Sequence, residues 1–139
     1  MRASLLYRIA AILLLLLAIG HAMGFRQIDP KWGIDSMIQS MRSIHFNANG
    51  SDRTYWDFFV GCGLFVTVLM VLASIVLWQL GGLSPETLAS MRITAWGFVF
   101  CFAVLVYLSW RYLFFLPMIH SGAVLLCLGL AAWRSGAPR

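Results

Sequence analysis

Charge is scarce in this sequence. Only 11% of its 139 residues are Asp, Glu, Lys or Arg, while 61% are hydrophobic, and a chain so composed cannot cover a water-soluble domain with polar side chains. An ordinary soluble enzyme or binding module is therefore excluded. Cysteine is sparse as well. Cys62, Cys101 and Cys127 stand singly in three apolar runs with no CxxC pair, so no thiol redox couple or zinc cluster is spelled out, and all three are expected as small core residues. Phosphate loops and nucleophile elbows are missing too. So is the alternation of polar and apolar residues that a membrane β-barrel strand requires. The net charge of +5 raises the question of nucleic acid, but the basic residues flank apolar runs, which makes lipid headgroups the expected partner and not nucleic acid.

Long apolar runs occupy most of the chain. Residues 9–25, 58–78, 93–110 and 112–133 carry no formal charge when histidine is neutral, and each has about the ~17–25 residues that cross a bilayer as helix. Helix is the expected form because hydrocarbon offers no partner to a free backbone N–H or C=O. The expected fold is an all-α four-helix transmembrane bundle in a single domain spanning 1–139, with membrane helices at about 8–25, 55–80, 85–109 and 112–133. Gly81-Gly82 closes the second run, and Ser84-Pro85-Glu86 opens the third with a capping hydroxyl, a proline suited to the first helical position and an early acid. Ile34, Met37, Ile38, Met41 and Ile44 recur at helical spacing between polar residues, which predicts a short amphipathic helix at about 34–45 in the first connection. A second reading of the start is a secretory signal peptide cut after Gly20-His21-Ala22. Arg8 within the early apolar stretch and the continuation of that stretch to Phe25 argue against it.

Four crossings put both chain ends at one membrane face. Tyr7, Trp78 and Trp133 then fall at that face, and Tyr55, Trp56, Tyr107, Trp110 and Tyr112 at the opposite one, as an aromatic belt would. The basic residues divide equally, with Arg2, Arg8, Arg92, Arg134 and Arg139 toward the ends. The basic N-terminus preceding the first run favours a cytoplasmic location for both ends, in a bacterial inner membrane.

Four of the five acids and two of the three histidines lie between residues 21 and 57, so any chemistry is expected on the face opposite the chain ends. Thr54-Tyr-Trp-Asp57 has the spacing of a capping box for the second membrane helix. The competing role for Asp57 is to face inward, above Gly61 and Gly63, in a polar cluster with His21, Arg53, Tyr107, Arg111 and His120. Such a cluster suits acid–base work on a hydrophobic substrate. His21 and His120 would be the ligands if the cofactor were haem. On the fourth helix Gly122 and Gly129, seven residues apart, share a face that suits packing against another helix, in this chain or in a partner. Asn49-Gly50-Ser51 matches a glycosylation sequon by letter alone.

Residues 41–64, MRSIHFNANGSDRTYWDFFVGCGL, resemble a signature of small bacterial four-helix integral membrane proteins with no assigned activity. The resemblance rests on Met41-Arg42, Phe46, Gly50, Arg53, Tyr55-Trp56-Asp57-Phe58, Gly61 and Gly63-Leu64. It implies the architecture and passes on no substrate. The expected function is a non-enzymatic bundle that binds a lipid, a hydrophobic small molecule, a membrane partner subunit or a second copy. A small membrane enzyme and a haem or quinone carrier are the alternatives.

Overall fold

The computed structural model describes residues 2–135, which leaves Arg139 and nearly all of the polar tail outside the described residues. Four helices are long and apolar enough to cross a membrane: α1 (Ala3–Gly24), α3 (Tyr55–Leu80), α5 (Arg92–Tyr112) and α6 (Phe115–Ser135). Between α1 and α3 come a 3-10 turn (Pro30–Trp32), the helix α2 (Asp35–Ser43) and two strands, β1 (His45–Ala48) and β2 (Ser51–Thr54). A short α4 (Pro85–Ser90) precedes α5. The architecture is all-α with four potential membrane spans, as the apolar runs predict.

Two local features depart from expectation. The amphipathic segment stops at Ser43, and His45 begins an antiparallel hairpin paired His45 to Thr54 and Ala48 to Ser51. Asn49 (φ 53°) and Gly50 (φ 89°) both adopt left-handed backbone, the requirement of the two-residue turn that matches strand twist. Asn47 Oδ1 accepts from Gly50 N at 2.6 Å and closes that turn. The third span, expected as one helix from 85, breaks at Met91 (φ −86°, ψ 20°). The Ser90 hydroxyl donates to Thr87 O at 2.7 Å, the carbonyl that also receives Met91 N–H, so a side chain competes with the helical ladder. Ser84 caps α4 by accepting from Thr87 N, with Pro85 in the first turn.

Contacts divide the chain into two compact units, Met1–Ala18 with Met70–Arg139, and Ile19–Leu69. The first has a continuous core drawn from four long helices. Leu6, Tyr7, Ala10, Ala11 and Leu14 of α1 are buried with Leu77 and Leu80 of α3, Phe102 of α5, and Val124, Leu128 and Ala131 of α6. Alanines recur there because small side chains let helix backbones approach closely. Ser74 Oγ donates to Ala11 O at 2.8 Å and ties α3 to α1. Arg8 places its guanidinium 5.3 Å from the Trp78 ring. Tyr7 is fully buried, its hydroxyl beside Ser135 but outside hydrogen-bonding geometry. Gly122 and Gly129 are not on the packed side of α6, since a Cβ at either would meet nothing within 4 Å. The buried face carries Ser121, Val124, Leu128, Ala131 and Ala132 instead.

The second unit joins the last turn of α1, the α2 and hairpin segment, and the first half of α3. Its packing is aromatic: Phe46 lies 5.0 Å from Tyr55 and 5.8 Å from Phe58, and Trp56 lies 5.4 Å from Phe59.

The outward faces of the long helices are apolar. Phe65 is 73% exposed, Val68 65%, Phe100 70% and Ile93 90%, so burial within the chain does not account for the hydrophobicity of the spans. Four helices are long and apolar enough to cross a membrane, and outward faces of this kind are what a multi-pass membrane protein presents.

Candidate functional site

At the β2–α3 junction the chain passes from strand to helix and leaves the first amides of α3 in need of acceptors. Asp57 Oδ2 accepts from Thr54 N at 2.8 Å and from Thr54 Oγ1 at 3.0 Å, while Asp57 N donates back to Thr54 Oγ1 at 3.2 Å. This reciprocal arrangement is a capping box. Arg53 donates to Asp52 O at 2.6 Å. Across the hairpin His45 Nδ1 meets Asp52 Oδ2 at 2.9 Å, a pair too exposed to add much stability. Thr54→Ala is expected to lower stability by about 1 kcal/mol through loss of the cap, measurable as a lower Tm in mild detergent; an unchanged Tm would separate the cap from stability.

A second polar pair lies between α1 and α3. His21 Nδ1 is 2.9 Å from Thr67 Oγ1, and Thr67 Oγ1 donates to Gly63 O at 3.1 Å. Phe25, one turn after His21, stacks on the imidazole with centroids 5.1 Å apart and planes 14° from parallel. The Phe25 ring in turn occupies the space over Gly63, where an added Cβ would sit 2.6 Å from ring carbon Cδ2. Glycine at 63 therefore lets the ring seat, and the ring holds the imidazole.

The third feature is an open groove of about 410 Å³ lined by Ile28, Asp35, Ile38, Gln39, Arg42 and Ser43. Asp35, Gln39 and Arg42 follow at i, i+4 and i+7, so α2 presents an acid, an amide and a base along one face. The Arg42 guanidinium lies 4.2 Å from the Trp56 ring centroid, a cation–π contact that fixes its position.

No family model, curated protein or solved structure matches this chain. The resemblance of residues 41–64 to small four-helix membrane proteins thus adds no activity or residue role, and the site rests on its own geometry.

Of the residues expected in one polar cluster, Asp57, Arg53 and His21 belong to the second unit and bond to different partners there. Tyr107, Arg111 and His120 belong to the first unit. Tyr107 is exposed with its ring 6.1 Å from Trp110. Arg111 lies 5.1 Å from the ring of its neighbour Tyr112, and His120 Nδ1 is 3.0 Å from Leu116 O, one turn back on its own helix. Among the described residues no group of three or more His, Cys, Asp or Glu side chains is placed to hold a metal ion. Cys62 and Cys101 are exposed and so are not the core residues their apolar neighbours predict, whereas the half-buried Cys127 packs against the core. Thr67, Phe25, Ile28 and Gln39 were not singled out by sequence. Thr67 carried the clearest signal, as a hydroxyl in the middle of an apolar run.

Proposed function

We propose that this protein is a non-enzymatic multi-pass membrane protein that binds a zwitterionic phospholipid through the α2 groove. The observation that carries the reading is the groove itself, in which Asp35 and Arg42 offer opposite charges on one helix face beside the apolar side chains of Ile28 and Ile38. Arg42 suits a headgroup phosphate, since a guanidinium presents several donors in a fixed plane. Asp35 suits a headgroup ammonium, and the two isoleucines suit the upper acyl chain. The amphipathic character of α2, half-exposed along Met37 and Ile44, supports a position at the membrane surface.

Both chain ends belong on the cytoplasmic side of a bacterial inner membrane in this reading, on the strength of Arg2 and Arg8 at the start of the first span. Reporter fusions at Gly82 and at the C-terminus test it; periplasmic activity of both would reverse the orientation.

Native mass spectrometry of protein released from membranes rich in phosphatidylethanolamine tests the groove. A retained lipid is expected on the wild type and about a hundredfold less on Arg42→Ala with Asp35→Asn, each of the two charge-assisted contacts being worth about tenfold. Equal retention by the double variant would sink the reading.

A further inference from the structure

His21 stands in the last turn of a potential membrane span, where an imidazole has few partners to choose from. Thr67 has one hydroxyl proton, and it points to Gly63 O. The same oxygen therefore faces His21 Nδ1 as an acceptor, which puts the imidazole proton on Nδ1 and leaves Nε2 with a lone pair. The opposite tautomer would leave Nε2–H without an acceptor among the described residues. An unpaired donor in an apolar setting is the costlier defect, since orphaned N–H groups are rarer than under-satisfied acceptors. Phe25 stacking fixes the ring plane, and Gly63 seats Phe25. On α1, a Cβ at Gly20 or at Gly24, one turn after His21, would meet nothing within 4 Å. The charged group next to this cluster is Arg26, whose guanidinium lies 5.4 Å from the far ring, Phe25.

We propose that His21, oriented by Thr67 and Phe25, is the recognition residue of a binding site for a lipid-soluble molecule bearing a hydroxyl group. A fixed Nε2 lone pair accepts a hydrogen bond from an alcohol or phenol and offers nothing to a ketone or ether. In hydrocarbon that single contact discriminates, because no water competes for the donor. The site shares no residue with the α2 groove, so it stands or falls separately from phospholipid binding there.

Magnetic resonance of the full chain in detergent with isotope-labelled histidine nitrogens provides the test, with para-dodecylphenol and its methyl ether as probes. Loss of one signal pair in His21→Asn identifies the residue. The wild type is expected to show a bare Nε2 whose resonance moves on adding the phenol and not on adding the ether. The phenol is expected to bind about tenfold more tightly than the ether, the worth of one hydrogen bond in an apolar site. Thr67→Val, which removes the acceptor for Nδ1–H, is expected to lose that preference, and Thr67→Ser, which restores a hydroxyl, to keep it. A protonated Nε2 in the wild type, or equal binding of phenol and ether, overturns the proposal. Retention of the preference in Thr67→Val overturns the role given to Thr67.

Discussion

Gly81→Ala is expected to destabilise the detergent-solubilised protein by about 2 kcal/mol, within the range for forcing extra atoms into a packed contact. Its Cβ would lie 2.8 Å from the Ser4 carbonyl oxygen and 2.8 Å from Arg8 Cγ. The arginine stem can swing aside, although its guanidinium would then leave Trp78. The Ser4 oxygen is backbone within the first turns of α1 and cannot move without shifting the helix. Relief therefore requires the start of α1 to separate from the end of α3, which loosens the contacts of Leu6, Tyr7, Leu77 and Leu80. Gly82→Ala is the control, because its Cβ would meet only Gln79 O at 3.4 Å, an ordinary contact. Unfolding by increasing fractions of denaturing detergent measures both variants; equal stability of the two would show that the α1–α3 approach at Gly81 carries no strain.

Val68→Asp carries the other large expected effect, and its size depends on the medium around the helix. Val68 lies near the middle of α3 and is 65% exposed. An aspartate at the centre of a lipid-facing helix costs about 3 kcal/mol to insert, enough to lower the inserted fraction severely. In water the same substitution on an exposed helix position would change stability by about 0.5 kcal/mol or less. Recovery of the variant in the membrane fraction, beside a core substitution such as Leu77→Ala, distinguishes the two cases. Leu77 is fully buried, so its truncation is costly in either medium and controls for simple misfolding. Wild-type recovery of Val68→Asp from membranes would mean that α3 does not face lipid there.

The spans were legible because a bilayer imposes a length and forbids charge, and both constraints are written residue by residue. The start of α3 was legible for a related reason: a capping box is local, so Thr54 and Asp57 announce it three residues apart. The hairpin was also local, with Asn49-Gly50 as its turn signal, but the same letters spell a sequon and the flanking strands are only four residues each. The break at Met91 depended on competition between Ser90 Oγ and a backbone amide for one carbonyl, which composition does not reveal.

Sequence by itself determined that this protein has four helices long and apolar enough to cross a membrane and a polar connection between the first two. Only the tertiary structure decided which side of each helix is packed. Outward-facing and core-facing residues are both apolar, so helical periodicity cannot tell Val68 from Leu77 or Gly129 from Leu128. The same holds for the pairing of His21 with Thr67, 46 residues apart, and for the glycines at 63 and 81. A hydrogen bond or a close approach between distant segments exists only once the helices have met, and nothing in either segment alone encodes its partner.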